Sequence, residues 1–260
     1  MITMGTLVEA LLSGLIFALT SWFPLSPEGD VASVLVGNYQ SFLVPAYLGV
    51  TFAVFFHYRE KFSRLLIEAM KGIYEAELKY VFFATLFTAL IGLPLSKFSW
   101  GLSAKISSAV NALIGALIVL LSLATPRRNP IRELDGKLSE EPSILDSLSA
   151  GVLQGVALLG PLTRTGAITL ALLLPGYSAR KALQWSFMVA PAYFILRLLQ
   201  FGSWEPEGPV WIPFTAFASA FFVSLVLIYL LESLAEKRAR LALTAFGIVP
   251  IIVFALEVIV

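Results

Sequence analysis

Arg164 stands between Thr163 and Thr165 in the stretch GPLTRTG, Gly160 to Gly166, inside an otherwise apolar tract from Ile144 to Leu174. A guanidinium is permanently charged, and its planar fork of donors matches phosphate and carboxylate oxygens. The flanking hydroxyls add donors, and a helix starting near Gly166 would aim its free N–H groups at the same point. A second cluster occupies FPLSPEGD, Phe23 to Asp30, where Ser26, Glu28 and Asp30 interrupt the apolar tract from Leu7 to Leu35. A helix start near Gly29 would serve the same anion. Glu28 and Asp30 are hard oxygen ligands of the kind that Mg²⁺ or Ca²⁺ takes. Two readings of Arg164 follow. Either it pairs with Glu28 or Asp30 as a structural lock, or it grips an anionic group with Ser26, Thr163 and Thr165 as the candidate catalytic or donating hydroxyls.

The elements that position these residues belong in a bilayer. Of 260 residues, 58% are hydrophobic and 13% charged, with a mean hydropathy of +0.86, whereas about a quarter of a soluble domain is charged. Apolar runs of bilayer-spanning length recur, which predicts an all-α integral membrane protein. Six segments read as full crossings: about Phe42 to Tyr58, Tyr80 to Leu95, Ser107 to Thr125, Ala182 to Phe201, Val210 to Leu231 and Leu241 to Val260. The two interrupted tracts read as re-entrant helix-loop-helix hairpins, since a loop at membrane depth survives only under protein or a watery cavity. A net charge of +1 gives no hint of a nucleic-acid partner, and the absence of cysteine excludes disulfides and thiolate metal sites. The beginning MITMGTLVEALLSG has neither a basic n-region nor a small-residue cleavage site, so no removable signal peptide is expected.

The two tracts also resemble each other. Placing Pro24 on Pro161 brings Gly14 onto Gly151, Leu25 onto Leu162, Ser26 onto Thr163 and Gly29 onto Gly166 without a gap, and PAY recurs at Pro45 to Tyr47 and Pro191 to Tyr193. Thr6 with Glu9 and Ser143 with Asp146 each read as a capped helix start. Basic residues favour cytoplasmic loops. Those after the first, third and fifth crossings (Arg59 to Lys79, Arg127 to Lys137, Lys237 to Arg240) therefore fall inside, with both termini outside. Three crossings separate the hairpins, so they enter from opposite sides. The expectation is one membrane domain of two inverted repeats, about 1–125 and 143–260, joined by a cytoplasmic loop at 126–142. Such repeats place a polar site near the midplane, where a lipid phosphate would sit with its tail leaving between helices.

At these residues the chain resembles the undecaprenyl-diphosphate phosphatase family, also known as the bacitracin-resistance proteins. Their motifs read approximately EGxTEFxPxSSxGH and PGxSRSG, against FALTSWFPLSPEGD (Phe17 to Asp30) and GPLTRTG here. The resemblance implies six crossings with two re-entrant hairpins, a cell-membrane location and dephosphorylation of undecaprenyl diphosphate to undecaprenyl phosphate. Carried over, Arg164 holds the diphosphate, Thr163 and Thr165 match the serines around it, Ser26 matches the first serine of the pair, and Pro24 and Gly29 keep their places. The family's two glutamates, implicated in metal binding and catalysis, fall on Phe17 and Ser21, its second serine on Pro27 and its histidine on Asp30. A phosphatase would then have to use Glu28 and Asp30 for the metal, while a carrier or flippase for an anionic lipid needs only the binding arginine. A noncatalytic membrane partner is the third reading. His57 reads as an interfacial residue, Gln154 as a packing hydrogen bond or a cavity liner, and Arg197 as either snorkelling or lining the cavity.

Overall fold

The computed structural model describes residues 4–28, 35–96, 103–124, 141–202, 204–206 and 208–259. Their regular structure is entirely helical. In chain order come α1 (Met4–Trp22), a 3₁₀ turn (Tyr39–Phe42), α2 (Leu43–His57), α3 (Arg59–Met70), α4 (Ala76–Ser96) and α5 (Ala104–Ala124). Then follow α6 (Ile144–Val156) with a 3₁₀ turn (Ala157–Leu159), α7 (Arg164–Leu173), α8 (Ala179–Met188), α9 (Ala190–Gln200), α10 (Trp211–Lys237) and α11 (Ala239–Ile259).

Seven stretches among the described residues are long and apolar enough to cross a bilayer. Six lie close to the crossings expected from the sequence. The seventh is α1, whose 19 residues reach spanning length because the Pro-containing interruption begins only after Trp22. The Ile144–Leu159 and Arg164–Leu173 stretches are shorter apolar helices, as a broken tract predicts. Ser143 and Asp146 form the expected capping box at the start of α6. Thr6, by contrast, lies inside α1 rather than at its cap, because the helix already includes Met4. The loop at 126–142 falls outside the described residues except for Glu141 and Pro142.

The crossing expected at Ala182 to Phe201 is broken into α8 and α9 at Val189. Pro191 has no N–H to give the Phe187 carbonyl, so the helical ladder loses a rung there. Buried Gln154 steadies the break by donating to the Val189 carbonyl at 3.0 Å and to Thr88 Oγ1 at 3.1 Å. Gln154 is thus a packing residue that fixes a kink.

Helices pair where small residues let backbones approach, because lipid offers no hydrophobic drive for association. α1 lies along α10, α6 along α4, and α5 along α11. A Cβ on Gly14 of α1 would lie 2.3 Å from the Ala216 carbonyl oxygen of α10, and one on Gly151 of α6 would lie 2.7 Å from the Ala84 carbonyl oxygen of α4. The α5–α11 contact is reciprocal: a Cβ on Gly115 would meet the Gly247 carbonyl oxygen at 2.3 Å, and one on Gly247 the Gly115 carbonyl oxygen at 2.5 Å. Outward-facing Leu90, Leu113, Leu120, Phe222 and Val226 remain exposed, as suits side chains that meet lipid tails.

Gly115→Val is therefore expected to destabilise the protein by about 3 kcal/mol, the upper part of the range for overpacking. Thermal unfolding in detergent reads this directly. Gly37→Ala, whose Cβ would meet nothing within 4 Å, is the matched control and should unfold like the parent.

Candidate functional site

The break between α6 and α7 creates the site. Thr163 is the N-cap of α7, its Oγ1 accepting from the Gly166 amide at 3.0 Å, which makes Arg164 the first residue of the helix. Asn111 of α5 holds this turn from outside. Its Nδ2 donates to the Pro161 carbonyl at 3.1 Å, and its Oδ1 accepts from the Thr163 amide at 2.8 Å. The Thr163 amide is withdrawn from water here and the Pro161 carbonyl partly so, and a buried group left unpaired would cost about 1–3 kcal/mol. An amide side chain carries a donor and an acceptor at a fixed spacing, so it can serve both groups at once.

Arg164 is 4% exposed. Nη1 donates to the Ser186 carbonyl of α8 at 3.0 Å, and Nη2 to Thr165 Oγ1 at 2.9 Å. The guanidinium carbon lies 5.0 Å from the Phe194 ring centroid, 5.8 Å from that of Trp22 and 5.9 Å from that of Tyr193. Aromatic faces attract a cation but do not neutralise it. No described carboxylate forms an ion pair with Arg164. The charge is buried among neutral acceptors and rings.

The two interrupted stretches meet at this point. Thr165 Oγ1 donates to the Ser21 carbonyl at the end of α1, at 2.7 Å. A Cβ on Gly166 would lie 2.7 Å from the Pro24 Cβ, so the absence of a side chain lets the two turns touch. Ser21 Oγ and Trp22 Nε1, on the same end of α1, are buried without a hydrogen-bond partner. Ser26 is 7% exposed and accepts from the Glu28 amide at 3.3 Å. Its hydroxyl proton is not spent on any described acceptor, nor is that of Thr163, whereas the proton of Thr165 is committed to Ser21.

Glu28 does not pair with Arg164. Its carboxylate takes the fork of Arg197 from α9: Nε donates to Oε1 at 2.7 Å and Nη2 donates to Oε2. The Tyr47 hydroxyl donates to Oε1 as well. Arg197 Nη1 reaches the Leu158 carbonyl at 3.0 Å and Gln200 Oε1 at 2.7 Å, so one guanidinium ties the first turn to the 3₁₀ segment after α6. Of the two positions expected from Arg197, it takes the inward one. A cation at Glu28 would have to displace this fork. Among the described residues no group of three His, Asp or Glu side chains stands ready for a metal ion. Gly29 and Asp30 lie outside the described residues.

The bacitracin resistance protein BacA family matches residues 10–256 of the chain. The chain belongs to that family. Its relatives include a protein of Methanococcoides burtonii named undecaprenyl-diphosphatase, 28% identical over 211 residues that cover 75% of this chain and 78% of that protein. Two bacterial proteins of the same name extend the likeness over almost the whole length. That of Neisseria meningitidis serogroup C is 27% identical, covering 93% of this chain and 92% of its own, and that of Syntrophotalea carbinolica is 28% identical, covering 92% and 94%. Phe17, where the family motif leads one to expect a glutamate, is fully buried and packs edge-on against Tyr47 with ring centroids 4.5 Å apart.

Of the partners just described, the sequence singled out Arg197, a charge in an apolar crossing, and missed Asn111, for which a lone amide inside another crossing was the available signal. Ser186 carried no signal, because its backbone carbonyl makes the contact. Asn111→Leu, which matches the side chain in size and removes both bonds, is expected to cost about 3 kcal/mol of stability. Asn111→Asp, which keeps the acceptor for the Thr163 amide, should lose less. Chemical or thermal unfolding in detergent ranks the two.

Proposed function

We propose that the chain binds the headgroup of a polyprenyl diphosphate at Arg164, between the turns at residues 23–28 and 160–166, and that its reaction is the family one, converting undecaprenyl diphosphate and water to undecaprenyl phosphate and inorganic phosphate. The observation that carries this reading is the buried guanidinium with no described carboxylate counter-ion. A charge taken out of water costs several kcal/mol unless compensated, and phosphate oxygens suit its fork. The amino end of α7, where Thr163 and Arg164 sit, adds the positive end of a helix dipole. Two further features support a shared site: the Thr165 to Ser21 bond across the turns and the uncommitted donors Ser21 Oγ and Trp22 Nε1 beside it.

In this reading Thr165 orients Arg164, and Ser26 or Thr163 supplies the hydroxyl that meets the phosphoryl group. Gly166 leaves room for the two turns to close around it, and Gly29 is its counterpart by sequence in the first turn. Glu28 with Asp30 would hold Mg²⁺ or Ca²⁺ if the reaction needs a divalent cation, once Arg197 turns from Glu28 to the substrate. We further propose that the two halves are inverted repeats with re-entrant hairpins in the cell membrane, with both termini outside. The matching pairs α1–α10 and α6–α4 and the mutual Gly115–Gly247 contact support a two-fold relation.

The replacement of both motif glutamates by Phe17 and Ser21 favours one competing reading, a carrier or flippase that moves the same lipid without cleaving it. Phosphate release from C55 diphosphate by the purified protein, with and without divalent cations, separates the two. Release that is lost in Ser26→Ala supports the phosphatase. Transbilayer movement of a labelled lipid in vesicles without release supports the carrier.

Arg164→Gln tests the shared premise. It is expected to weaken binding of the diphosphate lipid about a hundredfold, the worth of hydrogen bonds to a charged group. The lipid-free protein should unfold no earlier than the parent, because a buried uncompensated charge has been removed. Unchanged lipid affinity in this variant would overturn the assignment.

A further inference from the structure

A second charged site lies away from the Arg164 turn. A pocket of about 520 Å³ is lined by Glu60, Lys61 and Arg64 of α3, Glu77 of α4, and Arg180, Lys181 and Gln184 of α8. Four cations line it together with Glu60 and Glu77, and Glu75 and Glu236 reach its two arginines from beside it. Lys61 Nζ lies 4.7 Å, and Lys181 Nζ 5.7 Å, from the centroid of one indole ring, that of Trp185. Trp185 Nε1 is itself buried without a hydrogen-bond partner. Lys61 also pairs with Glu77 at 2.9 Å, and Arg64 reaches Glu77 at 3.2 Å and Glu75 at 3.7 Å. Arg180 pairs with Glu236 at 2.7 Å.

Two of these pairs are weak holds. The Arg64 and Glu75 side chains are 53% and 38% exposed, and those of Arg180 and Glu236 are 46% and 54% exposed. Exposed pairs contribute about 0–1 kcal/mol, so a better anion can take the arginines from them. Burial lowers the pKa of the Lys61 ammonium below the usual lysine value; Glu77 opposes this, while Lys181 and Arg64 add to it by repulsion. An anion set between the cations would relieve that repulsion.

The helix beside the pocket shows what kind of anion is at hand. α3 is amphipathic: Arg59, Glu60, Lys61, Arg64 and Glu68 share it with Leu66, Ile67 and Met70, the last three of which are exposed, and Lys71 caps its end. Ile73 and Tyr74, just beyond it, are exposed too. A short charged helix with a bare apolar face, joining two spanning segments, is built to lie in the membrane interface. Its apolar side chains and the cationic pocket are therefore presented at one depth, where acyl chains begin and headgroups end.

We infer that the pocket between α3, α4 and α8 is a docking site for the phosphoryl headgroup of an anionic membrane lipid, with the lipid's chains lying against the exposed apolar face of α3. Arg64 and Arg180 supply forks, and Lys61 and Lys181 supply point charges on the Trp185 face. Juxtamembrane bases attract anionic lipid with about 1 kcal/mol each. The site also borders the Arg164 region through α8: Trp185 lies under the Lys61 and Lys181 ammonium groups, and the next residue, Ser186, receives Arg164 on its carbonyl. Lipid held here would stiffen the helix on which that guanidinium rests.

The test uses full-length protein in detergent, titrated with phosphatidylglycerol or phosphatidylcholine and read by native mass spectrometry. Tight retention of phosphatidylglycerol and not phosphatidylcholine is expected. The double variant Arg64→Gln/Lys181→Gln should bind it about thirtyfold more weakly, while Arg64→Lys/Lys181→Arg should retain it. Thermal unfolding of each variant in phosphatidylcholine nanodiscs checks the fold, and only variants that unfold like the parent are compared. Equal retention of phosphatidylglycerol by the glutamine variant would overturn the proposal. So would its full displacement by inorganic phosphate, which would make this a site for free phosphate. The Arg164→Gln variant should keep this binding, so failure here and failure of the proposed function are separable.

Discussion

One buried positive charge governs the arrangement of this protein. Arg164 cannot lose its proton and is shut away from water, so the structure must surround it with acceptors and rings that make its burial tolerable. The Ser186 carbonyl, the Thr165 hydroxyl and three aromatic faces do this without cancelling the charge. The neighbourhood is thereby left with a standing attraction for an anion. A carboxylate placed against Arg164 would have cancelled that attraction.

That choice propagates outward. Glu28, the nearest acid in the first turn by sequence, is held by a different arginine and by Tyr47, which keeps it in a fixed place. Holding Arg164 at the start of α7 requires the chain to turn inside the helix bundle, and a buried turn requires donors and acceptors from elsewhere. Asn111 supplies both. The kink at Val189 is part of the same arrangement, because it sits three residues beyond the carbonyl that receives Arg164 and is fixed by Gln154.

The glycine contacts place the frame for this site. α1 and α6, which lead into the two turns, are each seated on another helix at a glycine, and α5 and α11 cross at a reciprocal pair. Close backbone contact is stiff, since there is no side chain to rearrange. The turns can therefore touch at Pro24 and Gly166 without depending on flexible side chains to find each other. The BacA family match over residues 10–256 takes in all of these helix contacts.

Spanning length, apolar composition and interrupted tracts are local properties, and they gave the helical membrane fold and most helix limits directly. They also singled out Thr163, Arg164, Thr165, Gly166, Ser26 and Glu28 as residues of interest, because polar groups inside apolar tracts are conspicuous. What the sequence left open was partnership. Nothing in the spacing says that Glu28 takes Arg197 rather than Arg164, because the two arginines are both distant in the chain and equally able to bind a carboxylate. Nor does it say that one crossing breaks at Val189, since a proline near the middle of an apolar run leaves the direction of the bend free. The pocket on α3, α4 and α8 was likewise invisible, as its charged residues come from three separate segments. Sequence determines which groups must escape lipid; only the folded chain decides which of them meet, because that depends on how helices far apart in the chain are packed.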